Sequence, residues 1–130
     1  MNHVLIVEDE DFLVRVLKDN FKAEGYLVET ASNGEEAVEI LKESKPDVIM
    51  LDILMPKKDG FYLIEEVRKN HEFRNIPLIV LSNLGEDAPI RRALEMGADD
   101  YFVKSQYPIQ EVVEKVKDYL EGRKVAKVHP

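Results

Sequence analysis

The sequence predicts a three-layer α/β fold in which five strand–helix units, (βα)₅, form a doubly wound parallel sheet with five strands. Short apolar runs of strand length alternate with longer stretches in which apolar residues recur at helical spacing. Most of the short runs lack polar alternation, which is typical of strands covered by helices on both faces. A chain of 130 residues, 45% hydrophobic and 34% charged, has the size and the apolar content of one such domain.

The apolar runs give the order of the five strands along the chain. Each run is rich in valine, isoleucine and leucine, which pack well on a pleated surface. The predicted strands are Val4–Val7, Leu27–Ala31, Val48–Leu51, Leu78–Leu81 and Tyr101–Val103.

Five helices are predicted, one after each strand, from apolar residues spaced three and four apart. The residues that mark their buried faces are, in chain order, Leu13, Leu17 and Phe21; Ala37, Val38 and Leu41; Ile64 and Val67; Ile90, Ala93, Leu94 and Gly97; and Ile109, Val112, Val113, Val116 and Leu120. Gly25 is expected to end the first helix, Asn33-Gly34 to begin the second, and Pro108 to lie in the first turn of the fifth.

Composition limits the domain organisation and the function classes. Residues 1–121 are predicted to form one domain, and the basic segment 122–130 a tail or the stub of a linker. The formal net charge of −8 argues against direct nucleic-acid binding, and the absence of cysteine excludes disulfides and thiolate metal sites. No apolar run approaches the ~18 residues of a membrane span, and the first run is too short for a signal peptide, so we expect a cytoplasmic protein.

Acidic residues follow two of the predicted strands. Glu8, Asp9, Glu10 and Asp11 follow the first strand, and Asp52 follows the third. Taken separately, the first group suits a helix cap and Asp52 suits a turn. In a doubly wound sheet, however, strands 1 and 3 are neighbours where the strand order reverses, and ligands bind at that edge. We therefore expect Glu8, Asp9 and Asp52 to converge, and carboxylate oxygens without histidine or cysteine favour Mg²⁺.

A hydroxyl group and an ammonium group are expected at the same edge of the sheet. Ser82 follows the fourth predicted strand and Lys104 follows the fifth. Taken alone, Ser82 is more simply interpreted as a loop hydroxyl and Lys104 as a surface charge. Together with an acidic metal site they form the set that phosphoryl transfer requires, because its transition state needs charge neutralised on three equatorial oxygens.

Four motifs resemble the receiver domain of bacterial two-component systems. They are VLIVEDE, VIMLDILMPKKDG, PLIVLSNLG and GADDYFVK, in the family's order and spacing, and the resemblance covers roughly Val4 to Leu120. As a set the motifs are specific, although any one of them would be weak. The resemblance implies a flavodoxin-like sheet with strand order 2-1-3-4-5. It also implies a phosphorylation-dependent response regulator, which signals and catalyses only its own phosphotransfer and slow dephosphorylation.

The resemblance implies roles for the acidic residues and their neighbours. Asp52 would be the phosphoacceptor. Asp9 would bind Mg²⁺ directly, Glu8 through a water molecule and Leu54 through its backbone carbonyl. Gly60, in the loop after Asp52, would supply backbone angles that other residues resist.

The resemblance also implies a switch. Ser82 would hydrogen-bond the phosphoryl group and Lys104 would pair with it. Tyr101 resembles the family's switch aromatic, which moves inward when Ser82 is drawn toward phosphate. A sensor histidine kinase or a phosphotransfer protein would supply the phosphoryl group. The response would appear on the face formed by the fourth helix, the fifth strand and the fifth helix, where a phosphorylation-dependent dimer could form.

The chain departs from the family's pattern close to the site. Ser105 stands where the family usually has proline in a cis peptide, so the Lys104–Ser105 bond is either trans with a reshaped loop or cis under strain. Glu8 replaces the commoner aspartate, and its longer side chain should still reach a metal-bound water. Leu54 and Leu84 flank the site and cannot position an attacking water, which favours slow loss of the phosphoryl group.

Three other functions share parts of this pattern. A redox protein that binds FMN needs a phosphate-binding loop of Ser, Thr and Gly after the first strand, where Glu8, Asp9 and Glu10 would repel the phosphate. An aspartyl phosphatase needs a second acid two residues after Asp52, where Leu54 stands. A receiver-like interaction module that never needs phosphate is the remaining alternative, although binding alone would not require the complete set of acids, serine and lysine.

Overall fold

The computed structural model describes residues 2–122 and 128–129, and its elements follow the predicted order. The strands are β1 (His3–Val7), β2 (Leu27–Ala31), β3 (Val48–Leu51), β4 (Leu78–Ser82), β5 (Asp100–Val103) and β6 (Val128–His129). The helices are α1 (Asp11–Ala23), α2 (Gly34–Leu41), α3 (Gly60–Lys69), α4 (Asp87–Met96) and α5 (Ile109–Leu120), with a 3₁₀ turn at Lys104–Gln106.

All neighbouring strands are parallel, in the order β2-β1-β3-β4-β5-β6. The predicted five-stranded order 2-1-3-4-5 is therefore confirmed. The two-residue β6 extends the sheet beyond β5, with Tyr101 opposite Val128. This strand lies in the segment for which a tail was expected, and the rest of that segment after Gly122 is outside the described residues.

The sheet divides the core into two layers, because alternate residues of each strand point to opposite faces. On β1, Leu5 and Val7 belong to the layer under α2, α3 and α4, whereas Val4 and Ile6 belong to the layer under α1 and α5. All four side chains are almost completely buried. In the part of the chain that the structure describes, none of the helices combines the length and the apolar content of a membrane span.

The helix ends differ from the predictions in two places. Gly97 was expected on the buried face of α4, but it caps that helix at φ 123°, a conformation that glycine adopts without strain. Pro108 precedes α5 as its N-cap and does not lie in the first turn. The prediction for Asn33 was correct, since its side chain accepts a hydrogen bond from the Glu36 N–H at 2.8 Å.

Candidate functional site

Three carboxylates meet at the carboxyl edge of the sheet, where β1 and β3 end side by side. Val7 is paired with Leu51, so the residues that follow these strands, Glu8 and Asp52, are neighbours. Glu8, Asp9 and Asp52 each offer a carboxylate oxygen, and these oxygens lie within 4.8 Å of one another. Glu8 and Asp52 are buried while Asp9 is exposed, so the cluster is open to solvent on one side.

Lys104 joins this cluster from the end of β5. Its Nζ lies 2.9 Å from Asp52 Oδ2 and 3.0 Å from Glu8 Oε1. Burial on its own would lower the pKa of the ammonium group, but the hydrogen bonds to Asp52 and Glu8 outweigh that effect and raise the pKa. Lys104 is therefore a permanent cation that both buried carboxylates share.

The carboxyl group of Glu8 has an altered acidity. Burial raises its pKa from 4.5 to about 7; the Lys104 hydrogen bond opposes this rise and the nearby Asp52 charge adds to it. Its Oε2 also accepts a hydrogen bond from the Glu10 N–H at 3.1 Å. Glu8 is thus only partly ionised at neutral pH, mainly because burial penalises the charged carboxylate.

The loop between β3 and α3 fixes the position of Asp52. The Leu54 N–H donates a hydrogen bond to Asp52 Oδ1 at 3.2 Å, which leaves Oδ2 to Lys104. Gly60 begins α3 where the chain returns to this strand, and a Cβ atom there would lie 2.5 Å from the Asp52 carbonyl oxygen. The sequence correctly indicated that Gly60 shapes the chain after Asp52, but for the wrong reason. Close backbone approach, and not an unusual φ angle, requires glycine there.

Ser82 and Tyr101 both contact the loop that leads into α4. Ser82 is the buried last residue of β4, and its Oγ accepts a hydrogen bond from the Leu84 N–H at 3.3 Å. Tyr101 is fully buried, and its hydroxyl donates to the Leu84 carbonyl oxygen at 2.6 Å. The backbone of Leu84 is therefore hydrogen-bonded to side chains from both β4 and β5. The structure shows the inward position of Tyr101, whereas the resemblance implies an outward position in the unmodified protein.

The loop after β5 answers a question that the sequence left open. Every described peptide bond is trans, including the one between Lys104 and Ser105. The chain forms a single 3₁₀ turn at Lys104–Gln106 and reaches α5 through Pro108. The reshaped-loop alternative is thus the one observed.

Sequence reasoning missed the contribution of Glu10 to this site. Glu10 Oε1 lies 3.6 Å from Lys104 Nζ, so the ammonium group has a third carboxylate neighbour. The available signal was the position of Glu10 in the acidic run, but that run was assigned to helix capping and to metal binding. The Glu10 side chain makes no capping hydrogen bond to α1.

Known proteins resemble this chain in sequence and in fold. The profile of the response regulator receiver domain matches residues 4–117. The receiver domain of a signal transduction histidine kinase from Syntrophus aciditrophicus has a TM-score of 0.86 and 36% identity, with 97% of this chain and 95% of that chain covered. The receiver domain of the Francisella response regulator 1452 has a TM-score of 0.85 and 30% identity, with 95% of this chain and 100% of that chain covered.

Longer proteins also contain a similar domain. A probable transcriptional regulator, ycf27, of Guillardia theta is 45% identical over 105 residues, which cover 81% of this chain and 40% of the relative. The corresponding protein of Porphyra purpurea is 40% identical over 117 residues, which cover 90% of this chain and 46% of the relative. The chain therefore spans less than half the length of these curated relatives.

Proposed function

This chain belongs to the response regulator receiver domain family of two-component signalling, and we propose that it is switched by a phosphoryl group transferred to Asp52 beside a bound Mg²⁺. The observation that carries the proposal is the contact of Lys104 Nζ with Asp52 Oδ2 at 2.9 Å, at the edge of a cluster of three carboxylates. That arrangement combines a nucleophilic oxygen, a permanent cation and a set of oxygen ligands in one place.

The donor set fits Mg²⁺. Asp9 and Asp52 would bind the ion directly, Glu8 would bind it through water, and Leu54 would contribute its backbone carbonyl. Hard oxygen donors without histidine or cysteine suit this ion, which retains several waters and leaves room for a phosphoryl oxygen. When bound, Mg²⁺ would neutralise negative charge on the incoming phosphoryl group.

The residues around Asp52 suit in-line phosphoryl transfer from a protein phosphohistidine. A carboxylate oxygen of Asp52 attacks phosphorus while the P–N bond to the donor imidazole breaks, and the imidazole leaves with the electron pair. Lys104 then pairs with the phosphoryl oxygens, and the Ser82 hydroxyl donates a hydrogen bond to them. A sensor histidine kinase or a phosphotransfer protein is the donor class that this chemistry requires.

The contacts of Leu84 provide a route from the site to the surface. If the Ser82 hydroxyl turns toward the phosphoryl group, it no longer accepts from the Leu84 N–H, while Tyr101 still holds the Leu84 carbonyl. The loop before α4 would then change its conformation, and so would the face formed by α4, β5 and α5. This face is the proposed output surface and the proposed site of a phosphorylation-dependent dimer. Hydrogen exchange with and without beryllofluoride should differ most across residues 83–108, and changes confined to α1 and α2 would reject this route.

The phosphoryl group should be long-lived. Leu54 is 55% exposed and Leu84 packs partly against the core, and neither side chain has a polar atom that could orient an attacking water. Leu54→Asn introduces such an atom and should shorten the half-life of the phosphoprotein, measured by its decay after the donor is removed. An unchanged half-life would show that another feature controls hydrolysis.

Intact mass after incubation with Mg²⁺ and acetyl phosphate tests the central proposal. The wild type should gain one phosphoryl group and Asp52→Asn none, whereas the exposed control Asp19→Asn should react as the wild type does. Labelling of Asp52→Asn at the normal rate would place the acceptor elsewhere. No labelling of the wild type would favour an interaction module that does not need phosphate.

A metal titration tests the ion site independently of phosphate. Mg²⁺ should raise the melting temperature of the unmodified protein, because binding to the native state alone stabilises it by ~2.7 kcal/mol at 100 times the dissociation constant. Asp9→Asn should remove most of this effect. A wild-type melting temperature that does not change when Mg²⁺ is added would count against the proposed metal site.

A further inference from the structure

We propose that Glu10 is a selectivity residue of the phosphoryl site, which disfavours small phosphodonors in proportion to their negative charge and at the same time favours Mg²⁺. The inference rests on the proposed function of Asp52. It concerns a carboxylate that is neither the phosphoacceptor nor one of the expected metal ligands.

The position of Glu10 supports this role. Its Oε1 lies 3.6 Å from Lys104 Nζ, and the same Nζ lies 2.9 Å from Asp52 Oδ2. Because the two distances share one atom, the Glu10 carboxylate oxygen lies within about 7 Å of Asp52 Oδ2. At that range the charge of Glu10 acts directly on any ion that enters the site.

Glu10 is also exposed to solvent beside the site. Its side chain is 55% exposed, whereas that of Lys104 is 12% exposed. The two residues line the same cleft of about 220 Å³, together with Leu13, Asn83 and Ile109. The charge of Glu10 is therefore exposed next to Lys104, the cation that is expected to pair with the phosphoryl oxygens.

Glu10 is not required to hold Lys104 in place. Glu8 and Asp52 already hold the ammonium group with two buried contacts of 3.0 and 2.9 Å, whereas the Glu10 contact is longer and partly exposed. Exposed ion pairs of this kind contribute little to stability. The effect of Glu10 is thus expected in the charge of the site and not in its structure.

The donor chemistry makes the charge effect measurable. Asp52 attacks phosphorus, the bond from phosphorus to the leaving atom breaks, and acetate leaves from acetyl phosphate or ammonia from phosphoramidate. Near pH 7 acetyl phosphate is mostly a dianion, whereas phosphoramidate carries a net charge close to −1. A carboxylate about 8 Å away in water changes the rate by about twofold per donor charge.

Glu10→Gln should therefore react faster with both donors and discriminate between them less. At saturating Mg²⁺ and low salt, we expect a gain of about fivefold with acetyl phosphate and about twofold with phosphoramidate, and both gains should shrink in 1 M salt. Glu43→Gln is the matched control, because it removes the same charge from an exposed position in the turn after α2. Its rates should equal those of the wild type.

Mg²⁺ affinity, measured without any donor, separates a charge effect from structural damage. Loss of the Glu10 charge should weaken Mg²⁺ binding by a few-fold while phosphorylation at saturating Mg²⁺ becomes faster. Damage to the site would weaken both. Equal rates for Glu10→Gln and the wild type, or equal gains with both donors, would overturn the inference and leave the role of Asp52 intact. Failure of the wild type to react with either donor would overturn both.

Discussion

Replacement of Glu8 by glutamine should remove a pH-dependent loss of stability from the metal-free protein. The folded-state pKa of Glu8 is about 7, compared with 4.5 for an unperturbed glutamate. At pH values between 4.5 and about 7, the Glu8 carboxyl group retains its proton in the folded protein but has lost it in the unfolded chain. The contribution of Glu8 to stability is therefore fully present below about pH 4.5 and is lost as the pH rises through 7.

The size of the effect follows from the shift. The difference between a folded-state pKa of about 7 and the unperturbed pKa of 4.5, at about 1.36 kcal/mol per pH unit, gives an upper value of about 3 kcal/mol. The cluster is open to solvent at Asp9, so we expect screening to reduce this to about 2 kcal/mol. The free energy of unfolding of Glu8→Gln, relative to that of the wild type, should thus increase by about 2 kcal/mol between pH 5 and pH 8.

Urea denaturation in EDTA at several pH values measures this difference. Glu43→Gln, which removes an exposed carboxylate far from the site, should show an offset that does not change with pH. A constant offset for Glu8→Gln as well would refute the reasoning, because it would mean that Glu8 titrates equally in the folded and the unfolded chain.

Two further substitutions test contacts around the site, and a third tests contacts at the opposite edge of the sheet. Tyr101→Phe removes the hydrogen bond to the Leu84 carbonyl; it should lower the free energy of unfolding by about 1 kcal/mol and speed hydrogen exchange in residues 83–86. Gly60→Ala places a Cβ 2.5 Å from the Asp52 carbonyl oxygen; it should destabilise the protein by roughly 2 kcal/mol in urea and slow phosphorylation by acetyl phosphate. Arg68→Ala removes the hydrogen-bond donor to three backbone carbonyls and one of the donors to the Asp99 carboxylate, which still accepts from the Leu78 N–H; it should lower the free energy of unfolding by about 3 kcal/mol.

Matched substitutions nearby separate these contacts from general effects of mutation. Tyr62→Phe is the control for Tyr101→Phe, and Arg91→Ala is the control for Arg68→Ala. Within the part of the chain that the structure describes, the side chains of Tyr62 and Arg91 lack the hydrogen bonds that are being tested. At Gly85 an added Cβ meets only the end of the Val103 side chain, at 3.3 Å, so Gly85→Ala should be tolerated. All three controls should stay within about 0.5 kcal/mol of the wild type. Controls as damaging as the test substitutions would show that the named contacts are not the cause.

The outline of the site was predictable because it depends on topology. A strand ending at Val7 and another ending at Leu51 had to bring Glu8 and Asp52 together once the sheet was parallel and doubly wound. The apolar runs are sufficient to predict that sheet, since most of its strands are covered by helices and therefore carry a continuous apolar signal. The expected cluster of three carboxylates is accordingly present in the structure.

The sequence by itself thus determined the order of strands and helices, the edge of the sheet that carries the site, and the residue types that meet there. Only the tertiary structure decided that Lys104 touches Glu8, Glu10 and Asp52 together, that Gly60 is required by close backbone approach, and that Tyr101 lies inside. The physical reason is that periodicity records which face of an element is buried, and this property is local. Distances between side chains at the ends of different elements depend on how the loops between them fold, and those loops are shaped by contacts between residues far apart in the chain.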